Sequence, residues 1–313
     1  FFFAGRGGWR SRGGRRFPPG GGGGGGGPGG AGGGGAGGAG RRPGGRPPGA
    51  RRHRPIFRVP PPKSGGNTVV AQFLSFLPVE AVWPPPPGLV LDAEGMREAA
   101  LRLPMLRFVH GHADDSLAGH LPLDAFRMVT FLRHPVRLAV SHYLYLRQMP
   151  MNRLHAAAAA LPVDAFYRRF PGMLSDPQTA YLARALGFPT APDAPIGPDG
   201  VAFALRALAG FDFVGVTERM AESIEAMAEE FGLPLFPVGR ENASAASREE
   251  AEACAARLMK DEFLMRLGAD FALRREAEAR LVRWQRGRRR AALQHAPWQR
   301  QHPGGQHQQA DGG

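Results

Sequence analysis

The stretch Pro61-Pro62-Lys63-Ser64-Gly65-Gly66-Asn67-Thr68 constrains the fold more than any other part of the chain. Before it, Pro55 to Val59 contains the short apolar run IFRV, suited to a buried strand; after it, Thr68 to Leu77 (TVVAQFLSFL) has apolar spacing suited to a helix. The order is strand, glycine turn, helix. In such a turn the glycines let the backbone approach a ligand, the unpaired N–H groups of the first helical turn point at it, and the helix dipole favours an anion. Lys63 adds a cation, and the hydroxyls of Ser64 and Thr68 add short donors. A nucleotide-triphosphatase loop would read GxxxxGK[ST], with the lysine after the glycines. Here the lysine comes first, which disfavours a P-loop kinase or NTPase but keeps it as an alternative.

Charge is unevenly placed along the 313 residues. Residues 1–54 hold 25 of the 45 glycines, 11 arginines and no acidic residue, and residues 283–313 hold six arginines against one aspartate. These ends carry +11 and +5 of a formal +13, which leaves residues 55–282 at −3. A reading as a basic nucleic-acid binder therefore rests on the ends alone. Residues 1–54 have few apolar side chains to offset a backbone ordering cost of about 1 to 2 kcal/mol per residue, and are expected to be a disordered Gly/Arg-rich tail. An RNA-binding role for this tail is one reading; the use of 38 arginines against two lysines fits a GC-rich gene and favours a passive or spurious tail. Residues 281–313 are expected to be a second disordered tail, leaving 55–280 as the folded domain.

A single cysteine, Cys254, excludes an internal disulfide and any multi-cysteine metal site. It is compatible with a reducing, cytoplasmic setting. No run of 18 apolar residues is present, so no membrane segment is expected in the chain as given. The first methionine is Met96, so the amino terminus is expected to be incomplete or to use another start codon, and an upstream signal or anchor stays compatible with the sequence.

Val82 to Gly88 (VWPPPPG) is too stiff and donor-poor for a central strand. Glu94 to Leu103 reads as a helix stopped by Pro104, and Met105 to His110 as the next strand, giving the β-α-β rhythm of a parallel sheet. That strand runs into Gly111-His112-Ala113-Asp114-Asp115, so two histidines are expected at a strand's carboxyl end, where open α/β sheets bind ligands. Arg127 to Leu132 is the clearest strand; Pro135 suits a first helical position, and helical spacing continues to Arg147. Phe211 to Pro234 reads as a buried strand, a cap at Thr217 and an amphipathic helix ending at Gly232. Ser247 to Arg290 is helical and charged, with Leu258, Phe263, Leu264, Leu267 and Phe271 as core candidates.

Three of these segments carry a family resemblance. PKSGGNT resembles the 5′-phosphosulfate loop of the sulfotransferases, close to PK[ST]GGT[ST], which bind 3′-phosphoadenosine 5′-phosphosulfate (PAPS). FLRHPVRLAVSHYLYLR resembles their 3′-phosphate segment, roughly [LIV]-x-R-[DN]-P-x-x-R-x-x-S-x-Y, and places Arg133 and Ser141 in the two phosphate-binding positions, with Arg137 also matching. FVHGHADDSL resembles the HGH segment of the carbohydrate 2-O-sulfotransferases, in which histidine is the base. His110 and His112 take those places. Ser175 to Phe188 opens with an Asp-Pro helix start, the segment from Phe211 is similar to a late strand and helix of the family, and Arg240 to Ser244 resembles a loop near the nucleotide. The resemblance spans about residues 55 to 275. Asn67 stands where threonine is usual, His134 where an acidic residue would cap the next helix, and Pro60 and Pro61 where strand residues are usual.

The resemblance implies a three-layer α/β/α fold with a mainly parallel, P-loop-like sheet, and sulfuryl transfer from PAPS to a hydroxyl acceptor of the carbohydrate class without a metal. Lys63, Ser64, Gly65, Gly66, Asn67 and Thr68 would hold the 5′-phosphosulfate, and Arg133 and Ser141 the 3′-phosphate. Lys63 would also offset charge on the leaving phosphate. His112 is the first candidate for general base and His110 the second, because imidazole titrates near neutrality; Asp114 or Asp115 would orient it or bind acceptor. A non-catalytic nucleotide- or RNA-binding protein is the remaining alternative, while no nucleic-acid partner is expected from the folded part.

Overall fold

A computed structural model describes residues 54–83, 90–91, 93–113, 121–190, 194–236 and 247–301. Five strands, β1 (Ile56–Arg58), β2 (Val82–Trp83), β4 (Phe108–Val109), β6 (Arg127–Leu132) and β7 (Phe213–Val216), form one sheet in the order β2-β4-β1-β6-β7. Every pairing in it is parallel. Two further strands, β3 (Val90–Leu91) and β5 (His112–Ala113), pair separately and in parallel. The helices are α1 (Gly66–Leu74), α2 (Ala93–Arg102), α3 (Pro135–Gln148), α4 (His155–Ala160), α5 (Val163–Arg169), α6 (Pro177–Ala185), α7 (Pro198–Ala209), α8 (Met220–Phe231), α9 (Arg248–Leu258), α10 (Asp261–Leu264) and α11 (Gly268–Gln301).

Strand periodicity sorts the core into two faces. Ile56, Phe108, Val129 and Phe131 pack on Val69 and Phe73 of α1 and Met227 of α8. The alternate residues Phe57, Val59, Val109, Met128, Leu132, Val214 and Val216 pack on Leu182 of α6, Leu208 of α7 and Leu273, Ala277 and Leu281 of α11. The result is the three-layer α/β/α architecture with a parallel sheet. A third apolar cluster joins α3, α4, α5, α9 and α10 around Tyr143, Phe166, Tyr167 and Phe263.

The chain leaves β1 toward β2 and β4 on one side, then crosses to β6 and β7 on the other. The carboxyl ends of β1 and β6 thus flank the sheet's topological switch point, the place where open α/β sheets form a ligand crevice. The strand end of β1 opens into the Lys63 loop; that of β6 opens into Arg133.

Several expectations shift. The strand expected over 105–110 shortens to β4, because residues 103–106 turn back on α2 with the Met105 N–H donating to the Arg102 carbonyl at 2.9 Å. The first helix starts at Gly66, two residues early, because the glycine turn is itself wound into α1. Val82 and Trp83 form an edge strand, the position that tolerates a following proline run. Of the core candidates, Leu258, Phe263 and Leu267 are buried, and Leu264 and Phe271 pack partly buried beside them. The boundary expected at residue 281 is crossed by α11: Leu281 is buried, and Gln285 and Arg288 bond Glu222 and Glu225 of α8. The charged spacing there is that of a helix with one face on the protein, which composition alone disguises as a solvated tail. Residues 1–53 and 302–313 lie outside the described residues.

Candidate active site

Pro60 to Gly65 close the β1 loop through bonds to their own backbone. The Ser64 hydroxyl donates to the Pro61 carbonyl at 2.5 Å and its N–H to the same oxygen at 3.3 Å. Ser64 is buried, so its hydroxyl shapes the loop rather than adding the free donor expected from the sequence. Lys63 and Gly65 both take left-handed backbone, with φ of 63° and 77°. Glycine suits that conformation, whereas Lys63 holds it at a cost of about 1 kcal/mol. A Cβ on Gly65 would meet Met220 Cε at 2.3 Å, the movable end of a flexible side chain, and Thr217 Cγ2 at 3.3 Å, so it is the positive φ that calls for glycine here. Helix α1 then presents the first-turn N–H groups of Gly66, Asn67 and Thr68, since its first internal bond is from Val69 to Gly65. Asn67 is exposed and Thr68 buried.

The Lys63 ammonium lies 4.4 Å from the centre of the Tyr145 ring, a cation–π contact from α3. Burial, and then the nearby Arg133 guanidinium, pull its pKa below the ordinary lysine value. Arg133 Nη1 donates to the Lys63 carbonyl at 3.0 Å, so the two segments expected to bind the two ends of one ligand are joined. Arg133 Nε lies 3.9 Å from Glu218, whose carboxylate also accepts from the His134 N–H at 2.9 Å and from Arg274 at 3.1 Å. Glu218 thereby satisfies the N–H of the N-cap residue His134, whose own side chain makes no cap bond. Thr217 does not cap α8. A short 3-10 turn intervenes, and the Thr217 hydroxyl donates to the Ser64 carbonyl at 3.1 Å, tying β7 to the loop. Ser141 is half-buried on α3, Arg137 is exposed, and neighbouring His142 is buried. Burial and Lys63 depress the His142 pKa to about 3, which keeps it neutral.

A buried relay fixes Arg133 from behind. Its N–H donates to Gln178 Oε1 at 2.8 Å, and Gln178 Nε2 donates back to its carbonyl at 2.9 Å. Gln178 and Thr179, at the start of α6, donate their N–H groups to Asp270 of α11 at 3.1 and 2.8 Å. Asp270 is fully buried, and burial raises its pKa to about 6 against the opposing pull of Thr179. Because the folded value exceeds the unfolded one, Asp270 adds stability below about pH 4 that is lost as pH rises through about 6. Relative to Asp270→Asn, the wild type should therefore gain up to ~3 kcal/mol as pH falls from 7 to 4, measured by urea unfolding at each pH. A difference that is flat with pH would contradict this.

The two histidines do not end one strand together. His110 follows β4, with its N–H on the Trp83 carbonyl at 2.8 Å and its ring flat against Phe108, centroids 5.4 Å apart. It is buried. Gly111, at φ 129°, then turns the chain so that His112 opens β5 opposite Val90 in the small sheet. Asp114, Asp115 and the segment Arg240 to Ser244 lie outside the described residues. Among the described residues no group of three metal-ligating side chains occurs, and no helix is long and apolar enough to cross a membrane.

Known proteins offer little to set beside this geometry. No family model and no curated protein matches the chain. Among solved structures it is similar to mouse sulfotransferase SULT7A1 complexed with PAP, at 15% identity and a TM-score of 0.35, over 66% of this chain and 64% of that one. The match thus spans less than two thirds of that protein, and at this level nothing in the site is argued from it.

Sequence reasoning missed Gln178, Glu218, Asp270 and Tyr145, which reach the site from α6, the β7 end, α11 and α3. Glu218 had a readable signal: it follows a parallel strand, as Arg133 does. Arg58 had another, as the one charge inside an apolar strand.

Proposed function

We propose that this chain is a PAPS-dependent sulfotransferase acting on a hydroxyl acceptor, with carbohydrate as the acceptor class. The observation that carries the reading is the Arg133-to-Lys63 bond at the switch point, which sets a second cationic strand end against a glycine loop and helix start. The residues suit a phosphorylated ligand. The turn holds Gly65 at φ 77°, and the cationic side chains of Lys63 and Arg133 both belong to this loop region. PAPS supplies an activated sulfuryl group, whose transfer to the acceptor oxygen breaks its bond to the 5′-phosphate and releases PAP.

The chain's own part is positioning and electrostatics. The N–H groups of Gly65, Gly66, Asn67 and Thr68, with Ser64 holding the turn, would take the 5′ end. Lys63, desolvated and kept in place by Tyr145, would offset charge on the leaving phosphate. Arg133 and Ser141 would hold the 3′-phosphate, the group that separates PAPS from ordinary adenine nucleotides. His112 is the proposed base, taking the acceptor proton, with His110 second because it is buried against Phe108. A reducing, cytoplasmic setting belongs to this reading through the single cysteine.

The test is transfer of labelled sulfate from PAPS to a panel of hydroxyl acceptors that includes glycans, beside an ATP-turnover assay. Sulfate transfer with no ATP turnover is expected. ATP turnover without sulfate transfer would replace this reading with the NTPase one.

A further inference from the structure

Arg58 is the last residue of β1, in the layer between the sheet and α1, and only 3% of it is exposed. A buried guanidinium is costly unless its donors are met, and structural arginines are ordinarily paired with carboxylates or carbonyls. Arg58 departs from this: neither Nε nor Nη2 has a hydrogen-bond partner among the described residues. Its direction is specific. Nη1 and Nη2 both lie 3.0 Å, and Cζ 3.3 Å, from the point where a Cβ on Gly66 would stand. Gly66 is the first residue of α1, so the guanidinium sits against the same helix start whose N–H groups are unpaired. Burial lowers its pKa to about 10, so it remains a cation at neutral pH. Arg133 and Arg274 near this end of the sheet share Glu218, whereas neither Nε nor Nη2 of Arg58 has such a partner among the described residues.

We infer that Arg58 is an anion-binding residue of the β1 loop, its guanidinium donating to an oxygen of the phosphoryl or sulfuryl group taken by the α1 amino terminus. The inference rests on the nucleotide reading above for the identity of the ligand, and on the buried unmatched donors for its chemistry. Gly66 is then small because the guanidinium occupies its flank, a reason separate from the positive φ that Gly65 requires. The 5′ end of the ligand would meet cations from two sides, Lys63 within the loop and Arg58 beneath it.

Arg58→Met keeps the length and removes the unmatched charge. The ligand-free variant should be at least as stable as the wild type, where a structural arginine would leave it less stable. Its affinity for PAP should fall about 10- to 100-fold, with that for adenosine 3′-monophosphate unchanged, since only PAP carries a 5′-phosphate. Arg58→Lys, which retains the charge but not the fork, should fall between the two. Unchanged PAP affinity in the folded Met variant, an equal loss for both nucleotides, or an Arg58→Lys protein as stable and as weak as the Met variant would overturn the inference. If the wild type binds no PAP, the nucleotide reading fails alone, and inorganic sulfate decides Arg58. A smaller sulfate-induced rise in melting temperature for Arg58→Met than for wild type supports it; an equal rise, or none in either protein, overturns it.

Discussion

His112→Ala should lower kcat by roughly 10²- to 10⁴-fold while leaving PAPS binding nearly intact, and Lys63→Ala should damage both. The two are expected to fail differently because they are proposed to serve different ends of the reaction. A base acts only on the acceptor proton, and His112 opens a strand of the small sheet rather than the phosphate loop. Lys63 belongs to the loop itself, with its carbonyl bound by Arg133 and its ammonium on Tyr145. Alanine has a Cβ as lysine does, so the strain of φ 63° is retained and the loss reports the ammonium. Single-turnover rates and PAP titrations on both variants separate the effects. The His112 variant's lost rate should not return at high pH, whereas the wild-type rate should fall as acid protonates the imidazole. Full activity in His112→Ala with none in His110→Ala would move the base to the buried histidine; activity in both would remove histidine from the mechanism.

Arg133→Ala should weaken PAP binding by about 2 to 4 kcal/mol, the order expected on removing a charged partner from a buried phosphate. AMP binding should change far less. The structure adds a complication that the comparison of ligands resolves. Arg133 also holds the Lys63 carbonyl and lies by Glu218, so its loss could loosen the loop. Loosening would weaken PAP and AMP alike, whereas loss of a 3′-phosphate partner weakens PAP alone. Calorimetric titration of both nucleotides into both proteins reads the difference, and equal losses would assign Arg133 to loop support.

Local signals made the central parts of the fold legible. Arg127 to Leu132 has apolar and β-branched residues that can only be a strand buried on both faces, and it is β6 end to end. The glycine loop and Pro135 mark their helix starts by backbone chemistry, which needs no knowledge of distant residues. What could not be read depends on pairing across long separations. Gln178 supports Arg133 from 45 residues away, and Asp270 supports Gln178 from a further 92. Nothing local marks either as part of a site. The two histidines were expected together at one strand's carboxyl end; His110 does follow β4, but Gly111 turns the chain and His112 opens a strand of a second sheet, a pairing with Val90 that nothing local announces. Arg58 was visible and passed over, because a single charge in a strand reads as noise until its surroundings are known.

Nucleotide-dependent thermal stabilisation tests the central claim most directly. PAP at a hundredfold excess over its Kd should add about 2.7 kcal/mol to the folded state, a rise of roughly 5 to 10 °C in melting temperature for a domain of this size. AMP and ATP at the same concentration should each give a much smaller rise, because the Arg133 end of the crevice is proposed to read a 3′-phosphate that neither carries. A rise with PAP that exceeds both is the predicted result; no rise with PAP, or equal rises with all three, would contradict it.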